Sequence, residues 1–319
     1  MSSQGLRGAR KPEGARWFSR WLRARREGLG LDRRRAAFAG RKSSRPLTVT
    51  LLADLEIGDR FPSLAVLPAL ANALRVPAWT LAERVHVAPL VEPAFVDNLD
   101  GAAHDRWLER ARAALSIDDH ATAAAAADLA SQSARRNDDR SAALLTLASA
   151  LTSLGFPALA THAATSVYQQ SSALTERTDA LLALAEASLA DGNAALATVW
   201  LSMADEQPLT SLPLAVQMRR GLVRAEIDLA TGAWGRAQAE FARLASEFDA
   251  ADERSKRRTL RGLSEVLRRS GRPRDAERWE RLTKAASLPA PTSTGAETRT
   301  LSFPALLPSR CLSPREMPQ

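Results

Sequence analysis

The chain has 319 residues, 45% of them hydrophobic, a net charge of +8 and a single cysteine, Cys311. That length and apolar content allow two domains with a sizeable core. One cysteine excludes an intrachain disulfide and suits a reducing, cytoplasmic setting, and no apolar run approaches the roughly 20 residues that a membrane-spanning helix needs.

Alanine is abundant, aromatic residues are 5% and β-branched residues are sparse, so the expected class is all-α. The charge is unevenly placed. Residues 1–45 hold 14 Lys and Arg against 3 Asp and Glu, a local +11, which leaves 30 against 33, or −3, for the rest. A basic segment on a near-neutral body is the electrostatic footprint of a polyanionic partner. Residues 1–14, with Arg7, Arg10 and Lys11, read as a flexible basic arm, without the continuous apolar run of a secretory signal.

Residues 15–86 carry five short helical patterns. In the first, Phe18, Leu22 and Leu29 share helical spacing. Asp32 suits the N-cap of the second, with Ala36 and Ala37 inward and Gly40 closing it. Thr48 is placed to cap a third, "TVTLLADLE", with Leu52 and Leu55 inward and Gly58 ending it. Ser63 is placed to cap a fourth, "SLAVLPALANAL", whose Pro68 predicts a kink or a shortened helix. The fifth is "AWTLAERV". Residues 87–101, "VAPLVEPAFVDNLDG", contain two prolines and a glycine and read as a linker.

Residues 102–285 are helical throughout and repeat. Each unit has an apolar helix, a turn residue, a small residue five positions on, and a second apolar pattern. The turn residues are Asp119, Gly155, Gly192, Gly232 and Gly271, spaced 36, 37, 40 and 39 apart, and the small residues are Ala124, Ala160, Ala197, Ala237 and Ala276. Small residues at a helix crossing let two backbones approach closely. The pattern resembles the tetratricopeptide repeat, whose helix pairs recur every ~34 residues, although these units run longer. Residues 286–319 hold 6 of the 17 prolines and no periodicity, and read as a disordered tail.

Three motifs in the first block occur in a telling order. Leu22, Arg23, Arg26, Glu27, Gly30 and Leu31 precede Asp32; Leu55, Glu56, Gly58, Arg60, Pro62 and Ser63 follow; then come Leu70, Ala71, Ala73, Leu74, Val76 and Pro77. Together they resemble the lambda-repressor-like helix-turn-helix domain of the Cro and Xre type. The resemblance implies a five-helix DNA-binding domain over residues 15–86; the repeats that come after it read as an α-helical repeat solenoid. The resemblance also implies that the third helix enters the major groove, presenting Val49, Thr50, Ala53 and Asp54 after Thr48, and that Arg33 stands where the family commonly places a phosphate-binding Gln. Arg34, Arg41, Lys42, Arg45 and Arg60 lie near the same face and suit phosphate.

Two departures stand out. "RKSSRP" lengthens the path between the second and third helices. None of the outward positions on the third helix has the bidentate geometry of Arg, Lys, Asn or Gln for bases, so backbone attraction is expected to exceed base readout.

No chemistry is evident elsewhere. The histidines, His86, His104, His120 and His162, are scattered, and "DDH" at 118–120 cannot bring its neighbours to one helix face. There is no phosphate-binding glycine loop, no Cys-x-x-Cys and no nucleophile beside a recognisable base. The expectation is a cytoplasmic regulator rather than an enzyme, with no cofactor. Its partners are double-stranded DNA, a second copy of the chain, and a peptide or protein effector in the repeat groove. The final repeat is expected to leave a face open for dimerisation, with Leu263, Val266, Leu267, Trp279 and Leu282. The alternative is a protein-interaction scaffold whose helix-turn-helix no longer reads DNA.

Overall fold

The computed structural model describes residues 15–43, 45–91, 104–207, 212–247 and 253–286. Every regular element in them is helical, and no strand occurs among the described residues. The basic arm, most of the segment read as linker, and the segment read as a tail beyond Ala286 lie outside them.

The first block contains α1 (Ala15–Gly28), α2 (Arg33–Ala39), α3 (Val49–Ile57), α4 (Leu67–Leu74) and α5 (Ala78–Val91). Its helix ends follow the side chains that cap them. The Asp32 carboxylate accepts from the Arg35 amide at the start of α2, and the Thr48 hydroxyl accepts from the Leu51 amide at the start of α3. Each cap contributes about 1 kcal/mol. The chain leaves α3 through Gly58, whose φ of 77° is one that glycine adopts without strain. The core is formed by Trp17, Phe18 and Leu22 of α1, Leu52 and Leu55 of α3, Leu70 and Leu74 of α4, and Leu81 of α5, all fully buried.

Two expectations need correction. Ser63 does not cap the fourth helix: it leads, without a side-chain cap bond, into a 3-10 turn over Leu64–Val66. The α4 helix begins only at Leu67, so of the two effects expected of Pro68 it is the shortened helix that occurs, with Pro68 in the first turn, where a missing N–H costs no intrahelical bond. The fifth helix does not stop near His86 but continues through Pro89 to Val91, because Val87, Ala88 and Val91 are all buried.

The remaining helices form five pairs: α6 (His104–Ser116) with α7 (His120–Ser133), α8 (Asn137–Ser153) with α9 (Pro157–Gln170), α10 (Leu174–Ala190) with α11 (Ala194–Asp205), α12 (Leu214–Ala230) with α13 (Trp234–Ser246), and α14 (Glu253–Arg269) with α15 (Pro273–Ala286). Four of the turns share one motif. A left-handed glycine, such as Gly155 at φ 82°, lets the amide that comes after it reach back to the last helical turn, as in Phe156 N to Leu151 O at 2.9 Å. In the first pair the left-handed residue is Asp118, at φ 60°, while Asp119 is the N-cap of α7. The turn therefore falls one residue earlier than the spacing predicts, and Ala123 rather than Ala124 is the counterpart of Ala160. The small residues are where the packing needs them: Ala123, Ala124, Ala160, Ala197, Ala237 and Ala276 are all buried.

The first helices of successive pairs, α6, α8, α10, α12 and α14, pack on one another in order, and α14 returns to touch α6. These helices line the inner surface of a tight spiral. Charge fixes much of it. Buried Glu186 on α10 accepts from Arg219 of α12 at 2.7 Å and from Arg258 of α14 at 2.6 Å, and Arg258 also reaches Glu226 at 2.7 Å.

The face expected to stay open at the last repeat is not open. Leu263, Val266 and Leu267 are buried, and Trp279 packs against the same cluster. The reason is close packing with α13: a Cβ on Gly262 would lie 2.2 Å from Cζ of Phe241. The side chain of Leu282 lies outside the described residues.

The first block and the helix pairs belong to one compact unit. The α5 helix packs against α7 and α9, on the outer layer of the spiral. Glu83 accepts from the Ala158 and Leu159 amides at 3.1 and 2.7 Å, capping the N-terminus of α9, which has no side-chain cap of its own. Arg84 lies 4.5 Å from the ring centroids of both Trp17 and Trp21 and 3.8 Å from Asp128 of α7. Burial pulls the Arg84 guanidinium down to about 10, with Asp128 opposing the shift.

Candidate nucleic-acid interface

The position of α3 is set at its C-terminal end. Glu56 is 3% exposed and its carboxylate accepts from Arg26 of α1, at 2.5 and 3.2 Å, and from Arg33 of α2, at 2.8 Å. Arg26 also donates to the Leu31 carbonyl at 2.7 Å, fixing the α1–α2 turn. Burial works to raise the Glu56 carboxyl, but hydrogen bonds from Arg26 and Arg33 outweigh it and hold the group below its ordinary value. One buried carboxylate therefore locks three helices in a fixed relation, so that the rest of α3 can face outward on a rigid base.

At that outward surface Val49 and Thr50 are exposed, and Ala53 and Asp54 are half-buried. The Thr48 hydroxyl is engaged as the cap of α3. Asp54, which would repel a phosphate, forms an ion pair with Arg60 at 3.2 Å, so Arg60 first neutralises its own helix. Arg34 and Arg45 are exposed, and Arg41 stacks on the exposed Phe38 ring at 3.6 Å. The side chain of Lys42 lies outside the described residues. Arg33 differs from the other expected phosphate contacts in tying two helices together, although its side chain remains 40% exposed.

Between α2 and α3 the chain takes a 3-10 turn over Gly40–Lys42; Ser43, just after it, and Thr48, just before α3, have extended backbone. The connection from Gly40 to Thr48 is longer than the 3–4-residue turn usual between such helices.

Sequence reasoning missed what the other arginines of α1 do. Arg23 donates to the Glu56 carbonyl at 3.4 Å, and Arg25 to the carbonyls of Leu74 and Arg75 at 3.2 and 3.3 Å. Both sit at the C-terminal ends of helices, where cations are favoured. No spacing rule would have found these contacts, because they span 33 to 50 residues of chain. Among the described residues there is no cluster of three His, Cys, Asp or Glu suited to a metal ion, and no helix long and apolar enough to cross a membrane.

No protein-family model matches the chain, and no curated protein matches it in sequence. Among solved structures, the chain is similar to Bacillus thuringiensis PlcR in its crystal structure with the peptide PapR7 and DNA. The TM-score is 0.47 at 10% sequence identity, covering 86% of this chain and 95% of that one.

Proposed function

We propose that the chain is a DNA-binding transcriptional regulator of the Cro and Xre type. In this reading α3 lies in the major groove, and Val49, Thr50 and Ala53 face base edges and thymine methyl groups. Arg34, Arg41, Lys42, Arg45 and Arg60 hold the phosphates, with Arg33 adding its exposed edge. The observation that carries the reading is the surface of α3. Its one outward carboxylate, Asp54, is neutralised by Arg60, its C-terminus is locked by Glu56, and exposed arginines flank it. A helix prepared only for protein packing has no need of such an arrangement. The protein acts in the cytoplasm as a homodimer on two half-sites, and the inner groove of the helix pairs takes an effector. The test is a mobility-shift assay on the chain's own promoter at two salt concentrations. Binding that fades with salt supports the reading, and absence of binding at low salt overturns it.

A second reading, a protein-interaction scaffold, is favoured by one specific observation. The exposed side chains of α3 and its surroundings include Val49, Ile57, Leu64 and Phe38, and none of the outward positions on α3 offers a bidentate donor. The same assay decides between the two.

A further inference from the structure

We propose that the cavity inside the spiral is a binding site for a small polyanion, a phosphate ester or a polycarboxylate, held between the first and last helix pairs. The proposal deepens the reading of the helix pairs as an effector groove by naming the chemistry of what they hold.

The cavity has a volume of about 520 Å³, and its lining includes Arg254, Arg257, Arg258, Arg261 and Arg269 of α14 against the acidic groups Asp118, Glu186 and Glu226. The space is of ligand size, and Arg254 is already engaged, donating to the Ser149 hydroxyl. The other arginines divide between two ends. Arg258 is fully engaged between Glu186 and Glu226, and Arg269 holds Glu265 at 2.7 Å. Arg257 and Arg261 remain, at the end where α14 meets the α6–α7 turn, with Asp118 as the one lining carboxylate beside them. There Arg257 donates to the Ser116 carbonyl and approaches Asp118 at 3.5 Å, and Arg261 donates to Asp118 at 2.9 Å. One carboxylate, Asp118, thus serves two guanidiniums.

Two further atoms point to a missing acceptor. Arg257 is 4% exposed, and its Nε is buried without a hydrogen-bond partner. His120 Nδ1, also lining the cavity, is buried and unpartnered as well. A buried guanidinium N–H left without an acceptor is costly. The group that would satisfy it beside these two guanidiniums is an anionic oxygen, since guanidinium donors match carboxylate and phosphate geometry. Burial and the nearby Arg254 and Arg261 lower the His120 imidazole below its ordinary value, against Asp118 and Asp119, so at neutral pH it is an uncharged ring that can donate through Nδ1 to such an oxygen.

The test uses the full-length protein and two probes, inorganic pyrophosphate and citrate, titrated calorimetrically at matched ionic strength against sodium chloride. Arg261→Ala removes a half-exposed donor. Asp118→Asn removes the competing carboxylate while keeping a residue that tolerates the left-handed backbone. Thermal melting checks that both variants fold. The proposal expects one-to-one binding of at least one probe, weakened about tenfold by Arg261→Ala and tightened several-fold by Asp118→Asn. Pyrophosphate alone would assign a phosphate ester, and citrate alone a polycarboxylate. No heat beyond the chloride control overturns it. So does binding that neither variant moves, which would place the anion on the basic first block. The mobility shift is run on the same samples. Protein that shifts DNA but binds neither probe loses this site and keeps the regulator reading, and the reverse pattern loses the regulator reading and keeps the site.

Discussion

Replacing Glu56 by Gln should cost more stability than any other near-isosteric change in the first block. The variant keeps the shape but removes the charge that two guanidiniums share. The Arg26 and Glu56 side chains are 8% and 0% exposed, so the loss leaves a buried cation without its counterion. Breaking one partner of a buried pair costs about 3–5 kcal/mol. Gln retains one acceptor, and Arg33 can turn its exposed part to water, so we expect a loss of about 3 kcal/mol. In a cooperative unit of this size that is a fall in Tm of roughly 6–12 °C. Calorimetry at pH 7 on Glu56→Gln, Arg26→Met and the double variant closes a cycle. The double variant should lose clearly less than the sum of the singles, because an apolar side chain leaves no orphaned charge. Folding lowers the Glu56 carboxyl, so the contribution of the pair is complete above the unfolded value near 4.5 and is lost as pH falls through the lower folded value. The Gln variant should lack that acid-side loss. A cost below about 1 kcal/mol, or singles that simply add, would refute the claim that Glu56 locks the three helices.

Other consequences are quicker to check. The arginines of α1 that cap helices, together with Arg26, are withdrawn from the phosphate count, which leaves Arg33, Arg34, Arg41, Lys42, Arg45 and Arg60. The log–log salt dependence of DNA binding should therefore have a slope of about −5 per monomer, and a flat response would remove the phosphate role. Arg33→Ala should both weaken DNA binding and cost about 1 kcal/mol of stability, while Arg34→Ala should weaken binding at unchanged Tm; equal melting of the two would contradict the Arg33–Glu56 bond. Ala53→Asp places a second carboxylate beside Asp54 and should abolish binding without unfolding the block, whereas Thr50→Ala should reduce it; a fully active Ala53→Asp protein would take α3 out of the groove.

Much of the fold was legible because it rests on local signals. Asp32 and Thr48 cap where short polar side chains before apolar patterns should, and the four turn glycines adopt the left-handed backbone that only glycine enters without cost. The misreadings arose where position within a helix decides the effect of a residue. Ser63 is a good N-cap residue, but the helix starts four residues later with Pro68 in its first turn, and Asp118 can replace glycine in a left-handed turn because a short polar side chain tolerates it. The candidate site was legible in composition, as a surplus of arginine, but not in function. Which arginines hold carbonyls, which hold Glu56 and which remain at the surface depends on partners 23 to 50 residues away. The open end face failed for a related reason. A terminal repeat exposes an apolar stripe only if the preceding repeat leaves it bare, and close approach at Gly262 lets Phe241 of α13 cover this one.

The way α5 sits has a consequence for inheritance and engineering. Its Leu81 completes the core of the first block, while Glu83 and Arg84 belong to α9 and α7. One helix thus belongs to both halves, and neither half is an interchangeable cassette. A chain cut after Val91 would carry Arg84 without Asp128, and the remainder would begin a spiral with α9 uncapped. Recombination that swapped the first block for another of the same kind would succeed only if the junction lay before Ala78, so that α5 stayed with its spiral, and if the incoming block accepted a foreign fifth helix. On the reading proposed above, in which α3 meets DNA, a protein built in this way would change its target by substitution on α3, one residue at a time, rather than by exchange of domains.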